Sequence, residues 1–178
     1  MTARAHAPAW PRAERSSDGV IYHVRPIRAD DAERERAFIL ALSPESRFQR
    51  FMHGMREPSD ALIAQLVDID SHARMALVAV TGKPPDERII GVARYGADPG
   101  ARDCEFGVAV AEDWQCRGIG TTLTRLLFDH AAREGFQTIY GTVFANNQRM
   151  LELAEWLGLT VEAAAPGQTA VRAFRRLG

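Results

Sequence analysis

The chain has 178 residues, of which 46% are hydrophobic and 25% are charged, and its net charge is -1. This composition is typical of one soluble globular domain; it excludes a membrane span of about 20 apolar residues and argues against a nucleic-acid-binding protein, which usually has a strongly basic surface. The two cysteines, Cys104 and Cys116, have the spacing of neither a disulfide framework nor a zinc site, so we expect no metal and a cytoplasmic location.

Residues 1–18 are rich in Ala, Arg and Pro without a continuous apolar segment, so we interpret them as a flexible tail and not as a secretory signal. Residues 19–178 contain no internal repeat and no linker, and we predict that they form one domain. This domain begins with a β-rich segment at 20–28, followed by apolar residues at helical spacing over 30–42. The pattern predicts a strand and then a helix.

Two short helices are predicted next, at 43–52 and 58–69, because each segment combines a serine that can cap a helix with a neighbouring proline. Three segments that follow are rich in residues favouring strands. They lie at 74–82, 88–96 and 102–110. The first two resemble a hairpin, so this part of the sheet is predicted to be antiparallel.

The remaining pattern alternates between helices and strands. It predicts a helix at 118–134, a strand at 137–143, a helix at 147–158 and short strands near 159–163 and 169–175. An antiparallel meander followed by a β-α-β-α-β unit belongs to the α/β class. We therefore expect a mixed, mostly antiparallel sheet of about six to seven strands with helices on both faces.

Two glycines, Gly118 and Gly120, lie at the start of the longest predicted helix, where Ser, Thr or Asp would cap better. A helix N-terminus carries unpaired N–H groups and a partial positive charge, and glycines let an anion approach them. Together with Gln115 and Arg117, the loop 115–121 can present several amides and one guanidinium to a diphosphate. The alternative is a glycine-rich turn that only adjusts helix packing.

Two other phosphate-binding loops are excluded. A dinucleotide-binding fingerprint needs a third glycine where this chain has Leu123, and an acidic residue about 20 positions later, where 140–143 has none. A Walker A loop needs Ser or Thr after Gly-Lys, but Gly82 and Lys83 are followed by Pro84.

The segment QCRGIG at 115–120 resembles the Q/R-x-x-G-x-G/A signature of the GNAT N-acetyltransferases, and NNQRMLELAEWLGL at 146–159 is similar to another segment of that family. The resemblance covers residues 20–165. Within the superfamily, LSPESRFQRFM, IIGVARYG and EFGVAVAEDWQCRGIG are most similar to the acetyltransferase domain of bacterial Pat-type protein lysine acetyltransferases.

The resemblance implies a GNAT fold and acetyl-CoA as cofactor, with the pyrophosphate on the glycine-rich loop and the pantetheine arm along the preceding strand. The residues so assigned to coenzyme A are Val108, Ala109, Val110, Gln115, Cys116, Arg117, Gly118, Ile119, Gly120, Thr121 and Asn147. Asn147 has the alternative role of capping a helix, and both roles are compatible if Asn146 is the cap.

Acetyl transfer to an amine needs a base, because an amine of the lysine type has a pKa of about 10.4. The strand 102–110 has one bulky apolar face and one sparse face that carries Glu105 between small residues. The alternative is a solvent-facing carboxylate. In the Pat-type relatives the glutamate at this position is the general base, which favours Glu105 over Glu112 and Asp113.

Many family members carry a tyrosine on the last helix that protonates the departing thiolate, and here that position is Ala154. The general acid therefore stays open. The thiolate, like a cysteine thiol with a pKa of about 8.5, can also leave unassisted or take a proton from water. A covalent route through Cys116 is disfavoured because no histidine lies near it in the sequence.

The leading hypothesis is an acetyl-CoA-dependent N-acetyltransferase whose acceptor is a protein lysine, for example on an acyl-CoA synthetase, or a small amine. For a protein acceptor, the helices at 43–69 would border an open groove with acidic residues nearby. These residues are Glu45, Glu57, Asp60 and Asp68. The alternatives are a non-catalytic acyl-CoA-binding sensor, favoured by Ala154, and transfer of a longer acyl chain. A second copy of the chain is a further candidate partner, as a homodimer.

Overall fold

The computed structural model describes residues 9–178. In this part of the chain, eight strands form a single sheet. The strands are β1 (Arg12–Arg15), β2 (Ile21–Pro26), β3 (Arg74–Thr81), β4 (Arg88–Gly96), β5 (Asp103–Val110), β6 (Thr138–Phe144), β7 (Thr160–Val161) and β8 (Ala170–Arg176). The α-helices are α1 (Ala32–Ala41), α2 (Pro44–Phe51), α3 (Asp60–Val67), α4 (Ile119–Arg133) and α5 (Gln148–Trp156).

The starts of α2 and α3 follow from their capping serines. The side chain of Ser43 accepts a hydrogen bond from the amide of Ser46, and that of Ser59 accepts one from the amide of Leu62. Each serine thereby satisfies an N–H group that the first helical turn leaves unpaired. Both helices lie within the segments that the sequence predicted.

The strand order is β1-β2-β3-β4-β5-β6-β8-β7, and all neighbours are antiparallel except β5 and β6, which are parallel. The predicted mixed, mostly antiparallel sheet is confirmed, with eight strands where about six to seven were expected. Strand β1 lies inside the segment 1–18 that was predicted to be a flexible tail. It pairs with β2 from Arg12 opposite Val24 to Arg15 opposite Ile21. Residues 1–8 of that segment lie outside the described residues.

The helices cover both faces of the sheet. Helix α4 packs across β3, β4 and β5, with the rings of Phe106 and Phe128 edge to face at 5.0 Å. Gly91 permits this close approach, because a Cβ atom there would lie 3.0 Å from the side chain of Leu123. Helices α1, α2 and α3 lie on the other face. The faces and ends of β5 therefore decide where a ligand can reach the sheet.

Between residues 9 and 178, none of the helices combines the length and the apolar composition that crossing a bilayer requires. Over the same range, no three His, Cys, Asp or Glu side chains converge as metal ligands. The two cysteines are both free, with Cys104 buried and Cys116 exposed.

Candidate active site

The parallel strands β5 and β6 are paired at only three positions, from Asp103 opposite Thr138 to Glu105 opposite Tyr140. Both strands continue further, but beyond Glu105 strand β5 is paired only with β4, as far as Val110. The sheet therefore opens between β5 and β6. We call this opening, between residues 106–110 and 141–144, the fork.

The backbone of β5 directs hydrogen-bonding groups into the fork. The amide of Ala111 donates to the carbonyl oxygen of Ile90 at 2.9 Å, on the β4 side. Because these directions alternate along an antiparallel pair, the amides of Val108 and Val110 point away from β4. The carbonyl of Val110 agrees with this, since it accepts a hydrogen bond of 3.0 Å from the side chain of Gln115. Two N–H groups are thus available to a ligand in the fork.

The structure explains the two glycines at the start of α4 in different ways. Gly118 is the N-cap residue of α4 and has a φ of +81°, a left-handed conformation that strongly favours glycine. Gly120 lies within the helix. A Cβ atom there would lie 3.6 Å from Val110 and 3.7 Å from Leu153, which are ordinary contacts. Neither backbone conformation nor packing within the protein demands a glycine at position 120.

The side chains of Gln115 and Arg117 are already engaged, which differs from the expectation that both face a diphosphate. Gln115 bonds the β5 backbone and accepts a hydrogen bond from Arg149. Arg117 pairs with Asp18 at 2.8 Å and lies over the ring of Trp114. For Arg117 the difference arises because the turn after β1 brings Asp18 to the loop, and for Gln115 because the loop folds back onto the end of β5. The backbone amides at the start of α4 remain available to bind an anion.

The other loop and strand residues assigned to coenzyme A differ in what they expose. The side chain of Ile119 is buried in the core, so only its backbone could contact a ligand. Thr121 is half-buried and lines the groove described below, as do Cys116 and Ala109. By the same alternation as above, the amide of Ala109 points toward β4, so this residue contributes surface and not a hydrogen-bond donor.

An open groove of about 1970 Å³ joins the fork to the glycine-rich loop. Its walls come from β5, from β6, from the first turns of α4 and from α2 and α3. A single continuous groove thus passes the free amides of β5, the N-terminus of α4 and the side chain of Glu105. This arrangement can hold a long ligand that has an anionic group near one end.

Glu105 lies where the fork begins, with its side chain in the groove. The hydroxyl of Thr142, on β6, donates a hydrogen bond of 3.0 Å to its carboxylate. Gly107 is on the same face of β5, so the neighbouring position carries no side chain that would cover the carboxylate. Glu105 is therefore accessible and oriented by one hydrogen bond.

Glu112 and Asp113, the alternative carboxylates, have structural partners. Glu112 accepts a hydrogen bond of 2.9 Å from the amide of Ser43. Burial by itself would raise the pKa of Glu112, but hydrogen bonds from Ser46 and Ser43 outweigh it and hold the pKa below its usual value. Asp113 pairs with Arg88 at 3.1 Å. Both carboxylates are therefore engaged by structural partners, Glu112 by the start of α2 and Asp113 by an arginine.

Asn147 is the N-cap of α5, and its side-chain oxygen accepts a hydrogen bond of 3.2 Å from the amide of Met150. The division of roles suggested by the sequence, with Asn146 as the cap, is thus wrong. Asn147 also lines the groove, and its side-chain amide has N–H groups that could donate to a ligand there. Ala154 is fully buried in α5.

Of the acidic residues expected at the border of the groove, Glu45 and Asp68 line it. Glu57 and Asp60 are not among the lining residues, and Asp60 pairs with Arg36 at 2.6 Å. The acidic border is therefore narrower than expected, because α3 begins away from the groove.

Two groove residues, Thr142 and Arg50, were not singled out from the sequence. Strand alternation assigns Thr142 to a face of β6, but only the pairing of β6 with β5 brings it to Glu105. Arg50 is one of two arginines in the short helix α2, and such a residue is usually solvated. No feature of the local sequence distinguishes it.

Residues 36–159 match the family model described as "Acetyltransferase (GNAT) family". The chain belongs to the GNAT acetyltransferase family. As a member, it is an N-acetyltransferase that uses acetyl-CoA, and the GNAT resemblance found in the sequence is confirmed. The fork and the glycine-rich loop are thus parts of a GNAT fold.

Individual relatives agree with this membership. The chain is 41% identical over 145 residues to acetyltransferase PA5475 of Pseudomonas aeruginosa, covering 82% of this chain and 78% of the relative. It is 28% identical over 141 residues to acetyltransferase Pat of Mycolicibacterium smegmatis, covering 79% of this chain but only 41% of that longer protein. The crystal structure of the GNAT domain of S. lividans PAT superposes with a TM-score of 0.86 at 26% identity, covering 96% and 99% of the two chains. Both curated relatives are named acetyltransferases, which favours the hypothesis of an enzyme over that of a non-catalytic sensor.

Proposed function

We propose that this GNAT protein transfers the acetyl group of acetyl-CoA to an amine by direct attack, with Glu105 as the general base. The acceptor is a protein lysine or a small amine. The observation that carries the proposal is the location of Glu105, which is the last residue of β5 paired with β6 and lies at the beginning of the fork. A reacting group held in the fork would lie beside this carboxylate.

The loop and the fork divide the binding of acetyl-CoA between them. The amides at the start of α4, with the open space at Gly120, would hold the diphosphate. The amides of Val108 and Val110 would hydrogen-bond the pantetheine arm or the thioester oxygen, and Asn147 would donate to the same arm. When bound, acetyl-CoA supplies an acetyl group activated as a thioester. A backbone N–H directed at its oxygen stabilises the negative charge that develops there.

Glu105 would take the proton that the amine must lose, directly or through one water molecule. Its hydrogen bond from Thr142 holds the carboxylate toward the groove. Because Ala154 replaces the tyrosine found in many family members, no side chain at that position of α5 can protonate the departing thiolate. We propose that the thiolate takes its proton from water, which the open groove admits.

A protein lysine is supported as acceptor by two features. The groove is open and has Glu45 at its border, which would attract a basic segment, whereas Asp68 is paired with Arg74 at 3.0 Å. Two of the similar proteins are also named Pat. A small amine is equally compatible with the reaction as acceptor, because only the amine itself needs to reach Glu105.

The base is tested by Glu105→Gln, with Asp103→Asn as a matched control on the same face of the same strand. We expect Glu105→Gln to lower kcat by about 100- to 10,000-fold, the usual contribution of general base catalysis, without changing the Kd for coenzyme A measured by calorimetry. Turnover would be followed as release of coenzyme A with a panel of amines and a lysine-rich protein. Retention of full activity in Glu105→Gln, or equal losses in both variants, contradicts the proposal.

A further inference from the structure

Arg50, near the end of α2, extends across the groove face of β5. Its guanidinium lies directly over Gly107: a Cβ atom at that position would be 3.0 Å from Cζ and 3.1 Å from Nη1. Any side chain at position 107 would displace the arginine, so the glycine makes room for it. Gly107 and Glu105 are two residues apart on one face, a separation of about 7 Å along a strand. The cation therefore faces the same part of the groove as Glu105.

The positive charge of Arg50 is not matched by a bonded acid. Within residues 9–178, no carboxylate lies within 4.0 Å of its guanidinium, and the group bonds no acceptor. The neighbouring cation, Arg94, differs, because it pairs with Glu35 at 2.6 Å and donates to the carbonyl of Leu66. Of these two neighbouring arginines, only Arg94 is bonded to a carboxylate.

Apart from the ring of Phe51, whose centroid lies 5.2 Å from its guanidinium carbon, the surroundings of Arg50 are unfavourable for a cation. Burial and the charge of Arg94 together lower the pKa of Arg50 to about 10, although the carboxylates of Glu35 and Glu105 act in the opposite direction. The group is still protonated near pH 7. A desolvated cation is costly unless it is paired. An anion that enters the groove would supply the missing partner.

We propose that Arg50 binds a carboxylate of the substrate, next to the reacting amine and Glu105, an inference that rests on the proposed transfer reaction. A planar guanidinium can bind a carboxylate through two parallel hydrogen bonds. The carboxylate belongs either to the amine acceptor, as in an amino acid, or to the acyl group, as in a dicarboxylic acyl-CoA. Because positions 107 and 105 are only about 7 Å apart along the strand, the carboxylate must in both cases lie a few bonds from the reacting atom.

Matched substrate pairs test this proposal and distinguish the two sources. The acceptor arm compares each of the common amino acids with its amide, with acetyl-CoA as donor. The acyl arm compares succinyl-CoA with butyryl-CoA, which has a methyl group in place of the carboxylate, both as donors and as ligands in calorimetry. Each arm is run with the native protein, Arg50→Gln, Arg50→Lys and, as control, Arg56→Gln, which removes an exposed arginine outside the groove lining.

We expect the native protein to prefer the carboxylate member in one arm. Arg50→Gln should lower kcat/KM, or affinity in the acyl arm, by about 10- to 100-fold for that member, the usual effect of a charged hydrogen bond, and by less than about 3-fold for its neutral partner. Arg50→Lys should give a partial loss, and Arg56→Gln none. The arm that responds identifies the source of the carboxylate.

Absence of any preference in both arms overturns the proposal, and so does an equal loss for both members of each pair. The second result would mean that Arg50 supports the fold or Glu105 instead. Failure of the general base assignment is separate, because it would be seen as unchanged turnover in Glu105→Gln even if Arg50 still discriminates between the pairs.

Discussion

At the scale of single residues, the two glycines of the loop contribute in different ways. Gly118 has a left-handed backbone, so its conformation alone explains the residue. Gly120 is the second residue of α4 and has ordinary room for a Cβ atom, and glycine is a poorer helix former than alanine. A residue that the protein itself does not need is readily explained by a ligand. The space above Gly120 is where we place the diphosphate.

This assignment predicts different effects of two substitutions at position 120. Gly120→Ala should raise stability slightly and bind coenzyme A within about 3-fold of the native protein, because one methyl group fits and the family signature allows alanine. Gly120→Val should weaken binding by about 10-fold or more, since its branches enter the diphosphate space. Calorimetry gives both Kd values, and urea unfolding gives the stabilities. Native-like binding by Gly120→Val would move the diphosphate elsewhere.

At the scale of elements, local signals decided which predictions succeeded. The capped helices α2 and α3 and the strands β3, β4 and β5 were located because capping and alternation are short-range patterns. Strand β1 has no apolar alternation: it is a short edge strand, mostly exposed, and its pairing with β2 depends on tertiary contact.

The candidate site, too, could be predicted only where it depends on short-range patterns. The glycine-rich loop and Glu105 could be found from motif and alternation, because each depends on residues close together in sequence. The positions of Arg50 and Thr142 depend on how α2 and β6 meet β5, and the engagement of Arg117 depends on Asp18, which is 99 residues away in the chain. Such long-range contacts have no signature in a single sequence. The extent of the fork is likewise a property of strand pairing.

The N-terminus of α5 permits a test that separates a capping role from a ligand-binding role. Asn147→Asp keeps the oxygen that accepts from Met150 but removes the side-chain N–H donors, so stability should stay within about 0.5 kcal/mol while coenzyme A binding weakens. Asn147→Ala removes both and should also cost about 1 kcal/mol of stability. Unfolding and calorimetry on the two variants give the answer. Unchanged binding in both would leave Asn147 as a cap alone.

At the scale of the whole molecule, the candidate site lies where two parts of the sheet meet. Strands β1 to β5 are joined to β6, β7 and β8 through only three paired positions. Helix α4 follows β5 and packs back across β3, β4 and β5 before the chain enters β6. A ligand in the fork would contact the free edge of β5, the start of α4 and the groove face of β6 at once. Binding should therefore stabilise the folded protein as a unit.

This coupling can be measured as a shift in melting temperature. At a coenzyme A concentration of about 100 times the Kd, linkage adds about 2.7 kcal/mol to the free energy of unfolding. For a domain of this size each kcal/mol raises the Tm by about 2–4 °C, so we expect an increase of about 5–10 °C in one cooperative transition. At the same concentration, 3′-phosphoadenosine 5′-diphosphate, which keeps the diphosphate but lacks the pantetheine arm, should give a smaller increase because it does not enter the fork. Gly120→Val should give about half the native increase or less with either ligand, as expected for binding that is about 10-fold weaker or more. An equal shift from both nucleotides would mean that the fork contributes nothing to binding, and the amides of Val108 and Val110 would then need another explanation.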